Sequence, residues 1–185
     1  LAIDELLRMH ELAEQMLDLH RPRNGDGDCD AVRVAQDVVS VVRVGLGEQD
    51  IELRVDGPEH AFAEIPGDAL KQVLLNLVQN AQDALGEEGT EGTIEVRVVE
   101  TGANVRIDVV DDGPGITDDA LPQLFDPFFT TKADVQGVGL GLFTAAGLVR
   151  SHGGRIAASN RADGKGARLT VEVPRMHAGH SEVTA

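Results

Sequence analysis

The chain has 185 residues, 42% of them hydrophobic, which suits one ordinary domain with a small appendage. A formal net charge of −16 excludes a nucleic-acid groove and docking on an anionic membrane, both of which need a cationic footprint. A single cysteine, Cys29, excludes a disulfide framework, and no apolar run reaches the roughly 18 residues of a membrane span. Residues 1–20 mix charge throughout and do not read as a signal peptide, so the expectation is a soluble cytoplasmic domain, with membrane anchoring of the full-length protein an open alternative.

Residues 1–20 predict a helix. Ile3, His10 and Leu17 recur every seven residues, as do Leu6 and Ala13, and such a seam packs on a partner helix. Residues 21–30 (RPRNGDGDCD) read as a linker, and 31–46 as a valine-rich helix capped by Asp30, with Val34, Val38, Val41 and Val42 on one face. IELRV at 51–55 alternates as a strand. A long helix is expected over 68–86, with Asp68 near its start and Gly86 past its end. Strands 93–101 and 104–112 flank a Gly102-Ala103 hairpin turn, and a short helical stretch follows near 118–124. Residues 125–138 show no period, 139–152 predict a helix, and 154–160 with 167–174 close the pattern as a strand pair. The tail from Arg175 is expected to be disordered. The whole predicts an α+β fold: a two-layer sandwich, its mixed but mostly antiparallel sheet covered by helices on one face.

Four segments carry candidate chemistry. In QVLLNLVQNAQDAL (72–85), Asn76 and Asn80 are four apart and share a helix face. Carboxamides in an apolar helix are costly unless they bind something, and an Asn oxygen suits Mg²⁺. In VVDDGPGI (109–116), a strand ends in Asp111 and turns through Gly113 and Gly115 before Ile116, so a carboxylate stands at the strand's end. LFDPFFTTK (124–132) sets three phenylalanines in an irregular loop beside Thr130, Thr131 and Lys132, polar groups that suit a phosphate. In GVGLGLFTAAGLVRSHGG (137–154), Gly137, Gly139 and Gly141 lead into a helix, and bare glycines at a helix N-terminus admit an anion. Each segment alone also fits a plain structural reading: a packed Asn pair, a polar turn, a pinned loop, a glycine-rich turn.

In this order the four resemble the N box, first glycine box, F box and second glycine box of sensor histidine kinases. That family shares the Bergerat ATP-binding fold with gyrase, heat-shock chaperones and mismatch-repair proteins. The resemblance covers about residues 68–174, and FFTTK before GVGLGL resembles the nitrogen-regulation type. It implies ATP and Mg²⁺ as ligands, with Asn80 on the metal and Asn76 one turn earlier. Asp111 would bind the adenine amine in a pocket shaped by Gly113, Gly115 and Ile116. Phe128, Thr130, Thr131 and Lys132 would belong to the lid, with Lys132 as a catalytic phosphate contact. Gly137, Val138, Gly139, Leu140, Gly141 and Leu142 would face the phosphates. Asp83 falls in the same set, three after Asn80 where many members carry a base. A second departure is Ala167 after Gly164-Lys165-Gly166, where members usually carry threonine.

Hydrolysing relatives carry a water-activating Glu where this chain has Asn76, and a carboxamide is no general base near neutral pH. The resemblance therefore implies a kinase that passes the γ-phosphoryl group to a histidine, then to a response-regulator receiver domain, in a homodimer built through dimerisation helices. His10-Glu11-Leu12 resembles the start of a histidine box but lacks its Asn-Pro, so the acceptor is expected upstream of residue 1. The implied division is 1–20 a dimerisation helix, 21–30 a linker, 31–174 the catalytic domain and 175–185 a tail. A hydrolysing ATPase of the same fold and a non-catalytic nucleotide-binding scaffold remain open alternatives.

Overall fold

In the strands, every second residue is apolar and the helices are apolar along one stripe, so two layers bury one face each. The computed structural model describes residues 27–46, 50–88, 91–130, 139–162 and 164–176. The expected helix at 1–20 and most of the linker and tail lie outside the described residues.

The main sheet has five strands: β2 (Asp50–Asp56), β4 (Glu91–Thr101), β5 (Asn104–Asp111), β6 (Arg155–Asn160) and β7 (Ala167–Pro174). They lie in the order β2-β4-β5-β7-β6. Only β2 and β4 run parallel; the other three pairings are antiparallel. Helices α1 (Ala31–Gly45), α2 (Gly67–Glu88) and α3 (Gly141–Ser151) cover one face. The core between the layers includes Leu70, Leu74 and Leu77 of α2 against Ile94, Val96, Ile107 and Val171 of the sheet, all fully buried. Hiding one such side chain contributes about 1.5–3 kcal/mol. The other sheet face carries ion pairs between alternate residues of one strand, Arg106 Nε to Asp108 Oδ1 at 3.1 Å on β5 and Arg97 Nη2 to Glu95 Oε2 at 2.7 Å on β4. That is the expected sandwich, with the helices on one side.

Several boundaries differ from the sequence expectation for local reasons. The stretch 118–124 forms only a 3₁₀ turn over Leu121–Gln123, because Pro122 at its start has no N–H to extend a helix. The helix expected from 139 begins at Gly141, since Gly139 has φ +70 and cannot be helical. α2 runs through Gly86 to Glu88: an exposed interior glycine costs only about 1 kcal/mol. On α1, Val41 turns to solvent at 56% exposure, and the buried stripe is Ala31, Val32, Ala35, Val38, Val39 and Val42.

A second sheet was not legible. The two-residue strands β1 (Cys29–Asp30) and β3 (Phe62–Ala63) pair antiparallel and are too short to show a period. They tie both ends of the domain together, because Met176 N–H donates to Phe62 O of β3 at 3.0 Å; beside it Arg175 N–H donates to Ala103 O, between β4 and β5, at 2.8 Å. Ordered backbone thus reaches two residues into the expected tail.

Asp30 is the α1 cap, as its sequence position suggests: Oδ1 accepts from Val32 N–H at 3.1 Å and from Ala61 N–H at 3.2 Å. Its Oδ2 lies 2.7 Å from His60 Nδ1, and the His60 ring stacks on Phe62 with centroids 5.9 Å apart. Burial works against the Asp30 charge, but His60 and the three amides of Ala61, Val32 and Arg33 hold its pKa below the ordinary value. Asp30 in turn raises the pKa of His60. The signs fix a pH window. A raised His60 stabilises fully below its ordinary pKa of 6.5 and loses that contribution as pH rises through the folded value. The lowered Asp30 contributes above its ordinary 3.8 and loses it as pH falls. The thermal midpoint should therefore drop as pH rises past about 6.5, and His60→Ala should flatten that slope. Parallel midpoint–pH curves for parent and variant would refute the pairing.

Candidate functional site

β5 ends at Asp111, on the helix-facing side of the sheet with Val105, Ile107 and Val109, so the carboxylate sits at the rim of the core, 4% exposed. Its Oδ1 accepts two backbone amides, Gly113 N–H at 3.0 Å and Ala167 N–H at 3.0 Å. Burial pushes the Asp111 pKa up; those two amides and the Arg161 guanidinium work against the rise. A buried carboxylate held by one oxygen at a strand end is a directional acceptor for an amine donor.

Two close approaches set the walls around it. Gly166, at φ +88, lies so near that a Cβ there would come 2.0 Å from the Asp111 carbonyl oxygen. Gly115, at φ +81, leaves room for the Asn160 carboxamide, whose Oδ1 a Cβ would meet at 2.9 Å. Asn160 holds both backbone groups of Ile116: Ile116 N–H donates to Oδ1 at 2.7 Å, and Nδ2 donates to Ile116 O at 2.7 Å. Gly113, buried under Leu85 of α2, completes the turn.

A second group gathers where α2 meets the N-terminus of α3. Asn76 Nδ2 donates to Gly141 O at 2.9 Å, and Gln72 Nε2 reaches Asn76 Oδ1 at 3.4 Å. The Asn76 carboxamide is thus a strut between helices, and its face of α2 is the one turned to the start of α3. Asn80, half-buried one turn on, shares that face. Asp83 is exposed near the end of α2. Leu140 is the α3 cap and makes no side-chain capping bond, so the first amides of α3 are not covered by their own cap. Leu142 packs partly on the core.

Gly139 lies against the end of the phenylalanine loop. Phe128 N–H donates to Gly139 O at 3.1 Å, and a Cβ on Gly139 would come 2.5 Å from Phe129 O. Phe128 itself has φ 66 and is 59% exposed, while Phe125 packs on the core. The expectation that the phenylalanines anchor this loop thus holds for Phe125 and not for Phe128. Thr130 is exposed at the loop's last described position. Thr131, Lys132, Gly137 and Val138 lie outside the described residues, as does His10.

The structure therefore brings Asp111, Gly113, Gly115 and Ile116 into one group, and Asn76, Asn80, Leu140 and Gly141 into another. Sequence reasoning missed Asn160, Gly166 and the Ala167 amide. Asn160 ends a strand among small residues and carries no motif; only Gly-Lys-Gly before Ala167 hinted at a tight approach. Among the described residues no group of three His, Cys, Asp or Glu could hold a metal ion.

Residues 66–177 match the family described as histidine kinase-, DNA gyrase B-, and HSP90-like ATPase. The chain belongs to that family. Relatives of this ATPase domain include the sensor histidine kinase ZraS of Escherichia coli O157:H7, 36% identical over 170 residues that make 90% of this chain and 36% of ZraS. The catalytic domain of the histidine kinase ThkA is 30% identical with a TM-score of 0.71, over 80% of this chain and 95% of that one. ThkA in complex with the response regulator protein TrrA gives 26% identity and a TM-score of 0.75, over 94% of this chain and 49% of that one. The ATPase domain and what flanks it here span about a third of the length of the curated relatives. No described helix is long and apolar enough to cross a membrane.

Proposed function

We propose that this chain is the kinase domain of a sensor histidine kinase. It binds ATP with Mg²⁺ and passes the γ-phosphoryl group to a histidine on a dimerisation helix outside these residues, for relay to a response-regulator aspartate. The observations that carry the reading are the buried Asp111 carboxylate, held through one oxygen by two amides, and the glycine-opened start of α3, whose cap Leu140 makes no side-chain bond. The first suits an adenine amine and the second a triphosphate. ThkA, captured with a response regulator, is the relative that supports the receiver-domain partner.

In this reading Asp111 orients the base, with Ile116 and Gly115 along its edge. Amides from Gly139 to Leu142 hold the phosphates, joined by Gly137, Val138, Thr130, Thr131 and Lys132 of the loop; Asp83 lies at the rim. Asn80 supplies one neutral oxygen to Mg²⁺, a cation that takes few protein ligands and many from phosphate and water. The donor set fits: one carboxamide oxygen on the α2 face turned to the start of α3, where the phosphates would lie. When bound, the metal neutralises phosphate charge. Asn76 keeps α2 and α3 at their spacing and cannot take a proton from water, which favours transfer over hydrolysis. Transfer breaks the bond between the γ-phosphorus and its bridging oxygen. ADP leaves, and an imidazole nitrogen of the acceptor takes the phosphorus; positioning and charge neutralisation supply most of the catalysis.

We assign residues 31–174 to the catalytic domain, 1–20 to a dimerisation helix joined through 21–30, and 175–185 to a tail, in a cytoplasmic homodimeric kinase. The test is incubation with γ-labelled ATP, with and without a dimerisation fragment bearing an acceptor histidine. Acid-labile, base-stable label should appear on the fragment and not on the chain alone. Label on His10, or fast steady-state release of inorganic phosphate, would overturn the assignment.

A further inference from the structure

We propose that Asn160 is a positioning residue that sets the width of the base pocket, and with it the choice of adenine over guanine. The inference rests on the ATP-binding reading of Asp111. Asn160 and Ala167 are cross-strand partners at the last rung of the β6–β7 ladder. Each partner grips one wall of the pocket. From the Ala167 backbone, N–H donates to Asp111 Oδ1 at 3.0 Å. From the Asn160 side chain, both polar groups close on Ile116, 2.7 Å to its N–H and 2.7 Å to its carbonyl. A single rung of the sheet thus fixes the distance between the carboxylate that would read the base and the loop edge beside it.

The local glycines are what this grip requires. The Gly113–Ile116 turn lies outside the sheet and has no ladder of its own to hold it. Gly115 takes a left-handed φ of +81 that L side chains rarely adopt, and a Cβ there would meet Asn160 Oδ1 at 2.9 Å and push on the carboxamide. Gly166, one residue before Ala167, lets the β6–β7 turn close over the Asp111 carbonyl. Arg161, next after Asn160, reaches that carbonyl through Nη1 at 3.4 Å. The contact between residues 116 and 160 spans 44 positions of sequence and is satisfied by one side chain, so removing that side chain frees the turn without touching Asp111.

Asn160 is exposed, so water can replace its bonds in a variant and the fold should survive. What is lost is preorganisation: the turn samples other positions, and only the population with the correct pocket width binds the base tightly. The discriminating measurement is calorimetry with three probes: ADP, GDP and tripolyphosphate, each with Mg²⁺. Asn160→Ala should weaken ADP about tenfold, leave tripolyphosphate unchanged and narrow the ADP-to-GDP ratio. Asn160→Asp keeps the acceptor for Ile116 N–H but sets an acceptor against Ile116 O, so it should weaken ADP as well. In the nucleotide-free protein, hydrogen exchange of the Ile116 amide should accelerate in Asn160→Ala, with the thermal midpoint little changed. Unchanged ADP affinity, or equal loss of ADP and tripolyphosphate, overturns the proposal. If the parent protein binds no ADP, the ATP-binding reading fails, and the Ile116 exchange rate still decides whether the clamp exists.

Discussion

Asp111→Asn is expected to weaken adenine-nucleotide binding about a hundredfold while leaving the fold within about 1 kcal/mol of the parent near neutral pH. The replacement is isosteric. The amide oxygen can keep the bonds from Gly113 N–H and Ala167 N–H, so the walls of the pocket stay in place. The second carboxylate oxygen becomes an NH₂ group, a donor facing the donor of an adenine amine, and the buried pair is left unmatched. The stability half of the expectation follows from the direction of the pKa shift. Burial raises the Asp111 pKa in the folded state, so folding binds a proton more tightly than the unfolded chain does. Stability then falls as pH rises through the window between the ordinary carboxylate value and the raised one, and above it the charge is a standing cost. Asn carries no such cost. Calorimetry with a non-hydrolysable ATP analogue, alongside denaturant unfolding at several pH values, reads both halves. Unchanged affinity would remove Asp111 from the base pocket, and a collapse of stability would make it a purely structural residue.

Gly166→Ala should be the most damaging small substitution near the site, at about 3 kcal/mol or more. Two costs coincide there. At φ +88 an L-residue is strained. The added Cβ would also stand 2.0 Å from the Asp111 carbonyl oxygen, a backbone atom at the end of a central strand that cannot swing aside. Gly164 separates the two: its φ is +79 but nothing lies within 4 Å of a Cβ there, so Gly164→Ala carries strain alone, about 1 kcal/mol. Comparing the two denaturant midpoints isolates the contact. Equal losses would mean that the β6–β7 turn does not press on Asp111.

The helix-facing alternation of β4, β5 and β7, the apolar stripe of α2 and the Asp30 cap were legible because each is a local pattern, repeated over enough residues to stand out. Asn76, Asn80, Asp111 and the glycines were legible for a different reason: their residue types are costly where they occur, and four such segments fell in a family's order. β1 and β3 escaped because two residues carry no period. The helix expected from 139 started late because a left-handed Gly139 is fixed by its approach to Phe128 and Phe129, which no local pattern reports.

The sequence by itself thus determined which residues are chemically unusual and which faces of the helices and strands are apolar, since both depend on composition and spacing along the chain. Only the tertiary structure decided that Asn76 braces α3 through Gly141, that Asp111 is held by amides from residues 113 and 167, and that Asn160 clamps Ile116. These contacts join residues up to 65 positions apart. Such distances are set by strand register and helix packing, so the partner of a polar side chain is a property of the folded sheet and not of its neighbours in sequence.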